Sequence, residues 1–189
     1  MIDEFKKTAE AITLHGLGFL QVQLQANQRL HIWHPDLPRR KCFHHSSIHD
    51  HRFAFRSLVL VGTQINLNYY AQEPGEYVTP THVIYLHEGE RTKFGNRPWI
   101  PDGERLFTPQ TPQCVKAGQV YEMQAYQYHS TTPGGNGKVA TLMSKTFEDT
   151  KGAHSACAIG IQPDVDFDRK QWPDDRLWEI VRDVLTVTS

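Results

Sequence analysis

Apolar and polar positions change their period twice along the chain. Between residues 17 and 161 the apolar residues come in short runs rich in Val, Ile, Thr, Tyr and Phe, broken by Gly, Pro and Asn. That pattern predicts an all-β sandwich or barrel. The runs cover 17–24, 29–33, 53–62, 64–70, 83–86, 106–115, 120–124, 126–131, 139–146 and 153–161. Ala26-Asn27 separates the first pair, and the cluster Pro133-Gly134-Gly135-Asn136-Gly137 predicts a hairpin turn. Outside this span the spacing is helical. Residues 3–14 carry Phe5, Ala9, Ala11 and Ile12 at mixed helical spacing, predicting a short amphipathic helix that Gly16 and Gly18 interrupt. Near the other end, Trp172-Pro173-Asp174-Asp175 suits a helix first turn, and Leu177, Ile180, Val181, Val184 and Leu185 mark one face of a helix over about 173–186. The Pro- and Gly-bearing segment 71–111 is expected to be an insertion, either a lid over a barrel mouth or a dimer contact. With no repeat and no dividing linker, residues 1–189 are expected to form one domain, a jelly-roll β-barrel over about 17–161 flanked by two helices.

Composition changes this picture little. The chain is 39% hydrophobic and 22% charged, ordinary globular proportions. Its 20 Lys and Arg face 21 Asp and Glu, a net charge of −1, which argues against nucleic acid or an anionic membrane and leaves a small molecule as the expected partner. A homodimer is the default expectation for exposed barrel edges. The acidic N-terminal stretch lacks the apolar core of a secretory signal, and nothing approaches the roughly 20 apolar residues of a spanning helix, so a cytoplasmic protein is expected. Cys42, Cys114 and Cys157 are odd in number and scattered, which suits neither a disulfide framework nor a zinc ribbon; each is expected to be a buried thiol. Histidine does alter the picture: four of the 11 fall between His44 and His51, and histidine is the commonest metal ligand.

The chemistry centres on Ser46-Ser47-Ile48-His49-Asp50-His51, followed by a strand ending at Gly62. Residues two apart on a strand share a face, so His49 and His51 can chelate one ion. His129, near the end of the stretch from Gly118, is the candidate third ligand. Three neutral nitrogens leave coordination positions open on a divalent metal. Tyr121, Tyr126 and Tyr128 alternate around this second stretch as candidate hydrogen-bond donors, Tyr128 foremost, and Glu122 is the candidate acid/base group. In each case an ordinary strand residue, the tyrosines buried and the glutamate exposed, is the commoner outcome.

These residues resemble the two motifs of the cupin superfamily: His-x-His with Gly62 eleven residues after the second histidine, then the stretch from Gly118 to His129. The string Ser-Ser-Ile-His-Asp-His is similar to that of cysteine dioxygenase and related thiol dioxygenases. The resemblance covers about 30 residues. It implies an iron(II) ion on His49, His51 and His129, and a dioxygenase acting on a small thiol or carboxylate-bearing substrate. Zn, Ni, Mn and Cu are alternative ions for the same nitrogens. The motif-one glutamate of cupins is absent, Phe55 and Arg56 standing where it would fall, which agrees with an all-histidine site. Arg56 also stands where mammalian-type cysteine dioxygenases carry a cysteine crosslinked to tyrosine, so that crosslink is not expected. An arginine upstream of the His-x-His holds the substrate carboxylate in the family; Arg39 and Arg40 lie there, Arg40 being the candidate, with Arg56 as an alternative clamp. Two other functions are compatible with the same residues. One is a cupin isomerase or lyase using the ion as a Lewis acid, and the other is a non-catalytic small-molecule-binding cupin.

Overall fold

Period-two alternation governs most of the chain. The structure is a computed structural model describing residues 2–164 and 167–186. Helix α1 (Ile2–Thr8) leads into β1 (Ala9–His15), β2 (Phe19–Leu24) and β3 (Gln28–Trp33). A 3₁₀ turn at Cys42–His44 precedes β4 (Phe53–Val61), β5 (Thr63–Gln72), β6 (His82–His87), β7 (Trp99–Pro109), β8 (Gln113–Lys116) and β9 (Val120–Met123). Then follow β10 (His129–Pro133), β11 (Val139–Glu148), β12 (Ala153–Ala158) and helix α2 (Asp174–Leu185). The strands form two sheets, one ordered β1-β2-β3-β11-β4-β9 and the other β10-β5-β7-β6-β12, with β8 pairing β5 off that path. Among the described residues no helix is long and apolar enough to cross a membrane.

The first sheet is covered on both faces, and its alternation decides which residues meet the site. Leu14 of β1, Leu20 and Val22 of β2, and Leu30 and Ile32 of β3 turn one way, onto Leu177, Val181 and Val184 of α2. Burying a branched aliphatic side chain contributes roughly 1.5–3 kcal/mol, which suffices to dock a helix whose polar face stays wet. The intervening residues of the same strands are His15, Gln21, Arg29, His31 and Trp33, and they turn the opposite way. There Phe19 and Trp33 join Phe53, Phe55 and Val59 of β4, Val139 and Met143 of β11, Tyr121 and Met123 of β9, and Val115 of β8. A third cluster of Ile48, Ile84, Phe107 and Ala156 lies against the second sheet.

Several expectations are corrected here. The helix expected over 3–14 ends at Thr8, because Ile12 and Leu14 alternate with Thr13 and His15 and pair along β2. The strand-rich span therefore begins at Ala9 rather than at residue 17, and the expected all-β architecture takes the form of two sheets. The segment 71–111 is not an irregular insertion: β6 and β7 lie within it, β7 pairing with both β6 and β5. The run 106–115 splits into β7 and β8 around Pro112. The Pro133–Gly137 cluster joins β10 of the second sheet to β11 of the first, so it is a crossing between sheets and not a hairpin. Cys42 and Cys157 are buried as expected, but Cys114 is exposed.

Candidate metal centre

The stretch from Ser46 to His51 runs as a single extended segment between the two edge strands of the second sheet. His49 bridges His129 of β10 on one side and Ser155 of β12 on the other. On the first side the His49 and His129 amides each donate to the other residue's carbonyl at 2.9 Å. On the second, the Asp50 amide donates to the His154 carbonyl at 3.0 Å and the Ala156 amide to the Ile48 carbonyl at 2.9 Å. Ile48 packs on Ile84, Phe107 and Ala156, which anchors one face of the segment in apolar surroundings. Alternation then sends His49 and His51 to the other face. One ring nitrogen from each of His49, His51 and His129 lies within 4.8 Å of the other two.

Hydrogen bonds fix which nitrogen of two of these rings is available. Nδ1 of His49 lies 2.9 Å from the Ser47 carbonyl, and Nδ1 of His129 lies 2.9 Å from the Gln127 carbonyl. A carbonyl oxygen only accepts, so both Nδ1 atoms carry the proton and both Nε2 atoms present lone pairs. This is the carbonyl-oriented histidine of metal sites in general. His51 is held by packing instead, stacked on Phe53 at 4.9 Å and edge-on to Phe55 at 5.5 Å. Burial keeps the rings neutral: it pushes His129 down to about 3, lowers His49, and lowers His51 further with help from His49 and His129. Three converging neutral imidazoles fit a borderline divalent ion, and a fourth ligand position would remain for a small molecule. Among the described residues no carboxylate or thiolate belongs to this group. Asp50 is turned away, its Oδ1 accepting from the His154 amide at 2.6 Å and its Oδ2 lying 2.7 Å from His154 Nδ1. The Asp50 carboxylate in turn raises the pKa of His154.

His49 and His51 open into a cavity of about 240 Å³. Its wall is strongly basic: Arg29, Arg40, Arg52, Arg91, Arg97 and Arg169 line it, with Asp50 and Glu148 as its carboxylates. Phe43, Phe53 and Trp99 supply its apolar surface. Arg40 is 4% exposed, donates to the Asp164 carbonyl at 2.7 Å, and lies over the rings of Trp99 and Phe167.

The other residues singled out from the sequence lie elsewhere. Arg56 and Glu122 are exposed and face each other across β4 and β9 at 4.0 Å. Phe55 faces His51, so the adjacent Arg56 is directed to the opposite side of β4 and neither it nor Glu122 lines the cavity. Tyr128 packs edge-on against Phe107 and lines a second cavity, on the far side of the Asp50–His154 pair. Burial and Asp50 raise its phenol pKa. Tyr121 is buried and accepts from the Gln64 side-chain amide. His44 and His45 are exposed on and after the 3₁₀ turn.

Sequence reasoning missed most of the cavity wall. Arg29, Arg52, Arg91, Arg97 and Arg169 belong to widely separated stretches with no shared motif. The available signal was the alternation of β3, where Arg29 and His31 alternate with Leu30 and Ile32 and are partly buried. His154 was overlooked because a lone strand histidine carries no pattern; its partner Asp50 was already inside the motif. The chain matches no protein-family model and no curated protein.

Proposed function

We propose that the chain is a metal-dependent enzyme of the cupin type, in which His49, His51 and His129 hold one iron(II) ion and the basic cavity presents a small anionic thiol for oxidation by dioxygen. Its main support is the convergence of three imidazoles, two of them tautomer-locked, without a carboxylate, at an arginine-lined cavity. A bound iron(II) ion would supply open coordination positions and the redox chemistry that joins the thiol to dioxygen. In the overall reaction R–SH and O₂ give R–SO₂H, both oxygen atoms ending on sulfur, which is oxidised as dioxygen is reduced. The chain's own part is binding and orientation. Arginines on the wall receive the carboxylate, bidentately where a guanidinium fork meets two oxygens. Phe43, Phe53 and Trp99 reduce the water around the bound substrate, which strengthens those ion pairs. Backbone carbonyls of Ser47 and Gln127 keep two ligand rings from rotating.

The test is anaerobic iron(II) loading of untagged protein, then an oxygen-electrode screen with cysteine, cysteamine and 3-mercaptopropionate. Expected are about one iron per chain, one oxygen consumed per thiol, and loss of both in His129→Ala. Failure to retain stoichiometric iron after loading would overturn the proposal. A second reading has one observation in its favour: the His154–Asp50 pair reaches the cavity wall and would serve as the acid/base group that Lewis-acid isomerase or lyase chemistry needs. Anaerobic turnover of a carbonyl acid by the zinc or manganese form would favour it.

A further inference from the structure

The cavity carries more positive charge than a single carboxylate requires. Six guanidiniums line it against two carboxylates, and both carboxylates are engaged: Asp50 by His154, and Glu148 by Arg52 and Lys145. Among the described residues, Arg29, Arg91, Arg97 and Arg169 have no carboxylate within 4 Å, whereas Arg52 has Glu148 at 2.8 Å. These four spend donors on uncharged oxygens. Arg29 donates to the Gln23 side chain at 3.1 Å, Arg169 to the Leu14 carbonyl at 3.0 Å and the Thr13 hydroxyl at 3.2 Å, Arg91 to the Gly95 carbonyl and Arg97 to the Gly89 carbonyl. A guanidinium has five N–H donors, so each retains several.

The four are close enough to repel one another. Burial, then Arg91, Arg29 and Arg40, pushes Arg169 down to about 10; burial, then Arg97 and Arg52, lowers Arg91. Gathering like charges on a partly desolvated wall is unfavourable unless an anion compensates. The backbone holds them there regardless: Arg29 sits within β3, and Arg169 is tied to β1 through two hydrogen bonds. A solvated basic surface would not need such anchoring. At about 240 Å³ the cavity lies below the roughly 300–1,000 Å³ of drug-sized ligand sites, so the compensating charges must share a short skeleton.

We infer that the site takes a small polyanion, with two or more carboxylate or phosphate groups on a short carbon skeleton, held by Arg29, Arg91, Arg97 and Arg169 while its remaining end faces the three histidines. This rests on the metal-centre reading for which end faces the histidines, but the anion-binding half is testable without metal. The probes are tricarballylate, 3-phosphoglycerate and propionate, titrated calorimetrically into the metal-free full chain at low salt, with cobalt(II) binding followed separately by absorbance.

The expected result is binding of at least one polyanion about tenfold or more tighter than propionate, weakening as salt rises. Preference between the first two probes distinguishes carboxylate from phosphate. Arg91 is exposed, so Arg91→Gln removes charge without disturbing a core, and Arg97→Gln is the second variant. Each should weaken the polyanion several-fold and leave cobalt(II) binding unchanged, while Arg56→Gln on the outer face should do nothing. Equal affinity for propionate and both polyanions overturns the inference, as does equal weakening by Arg56→Gln. Polyanion binding without cobalt(II) binding would instead sink the metal centre and leave the anion site standing.

Discussion

Gly16 and Arg40 occupy space that only one of them can enlarge. A Cβ on Gly16 would lie 2.8 Å from Cδ and Nε of Arg40. The end of an arginine usually moves aside easily, but this one is buried between Trp99 and Phe167 and donates to Asp164. Gly16→Ala is therefore expected to cost about 1–3 kcal/mol, the range for overpacking a filled site, read from urea denaturation. A change under about 0.5 kcal/mol would mean that Arg40 relaxes freely. At this scale the three converging histidines were legible and, Arg40 apart, the arginines of the wall were not. His49 and His51 stand two apart in one short string, so local geometry predicts their common face. Arg169 and His154 owe their roles to neighbours more than 100 residues away, Leu14 for Arg169 and Asp50 for His154.

Among elements, the β4–β5 turn depends on one glycine. Gly62 has φ of 75°, and a Cβ there would clash with the Lys138 carbonyl. An alanine must accept the left-handed region and displace backbone as well, so Gly62→Ala is expected to cost at least about 1–3 kcal/mol. Thermal unfolding of the variant beside Gly118→Ala checks this: Gly118 also has positive φ, at 84°, but meets nothing within 4 Å, so its loss should be smaller. Equal losses would show that the backbone conformation alone matters. Elements were read well wherever one face is apolar and the next polar. The first part of β7, before Leu106, escaped because most of Trp99–Pro109 is exposed, leaving no alternation to read, and β1 because its seven residues fit a helix or a strand until β2 is beside them.

For the whole molecule, a net charge of −1 conceals a strongly basic interior wall. Charge sums over a chain say nothing about where charges converge. A ligand that binds only the folded chain stabilises it, by about 4 kcal/mol at 1,000 times its dissociation constant. Saturating iron(II) or zinc is therefore expected to raise the melting temperature by several degrees in the wild type, the gain vanishing after chelation and in His129→Ala. The same rise in His129→Ala would place the ion elsewhere. The first sheet presents its apolar face to α2 and its mixed face to the site, so this coupling should extend across both core clusters.

The sequence by itself determined the β-rich architecture, the C-terminal helix and the His49–His51 pair, because each is written as a period or a spacing within a dozen residues, while His129 stood out only through the resemblance of the stretch from Gly118 to a known motif. Only the tertiary structure decided the partition into two sheets, the position of Arg56 and Glu122 outside the cavity, and the arginines within it. Sheet order and cavity walls are set by contacts between segments far apart in the chain. Alternation specifies that a residue turns inward or outward, and the fold alone specifies what it meets there.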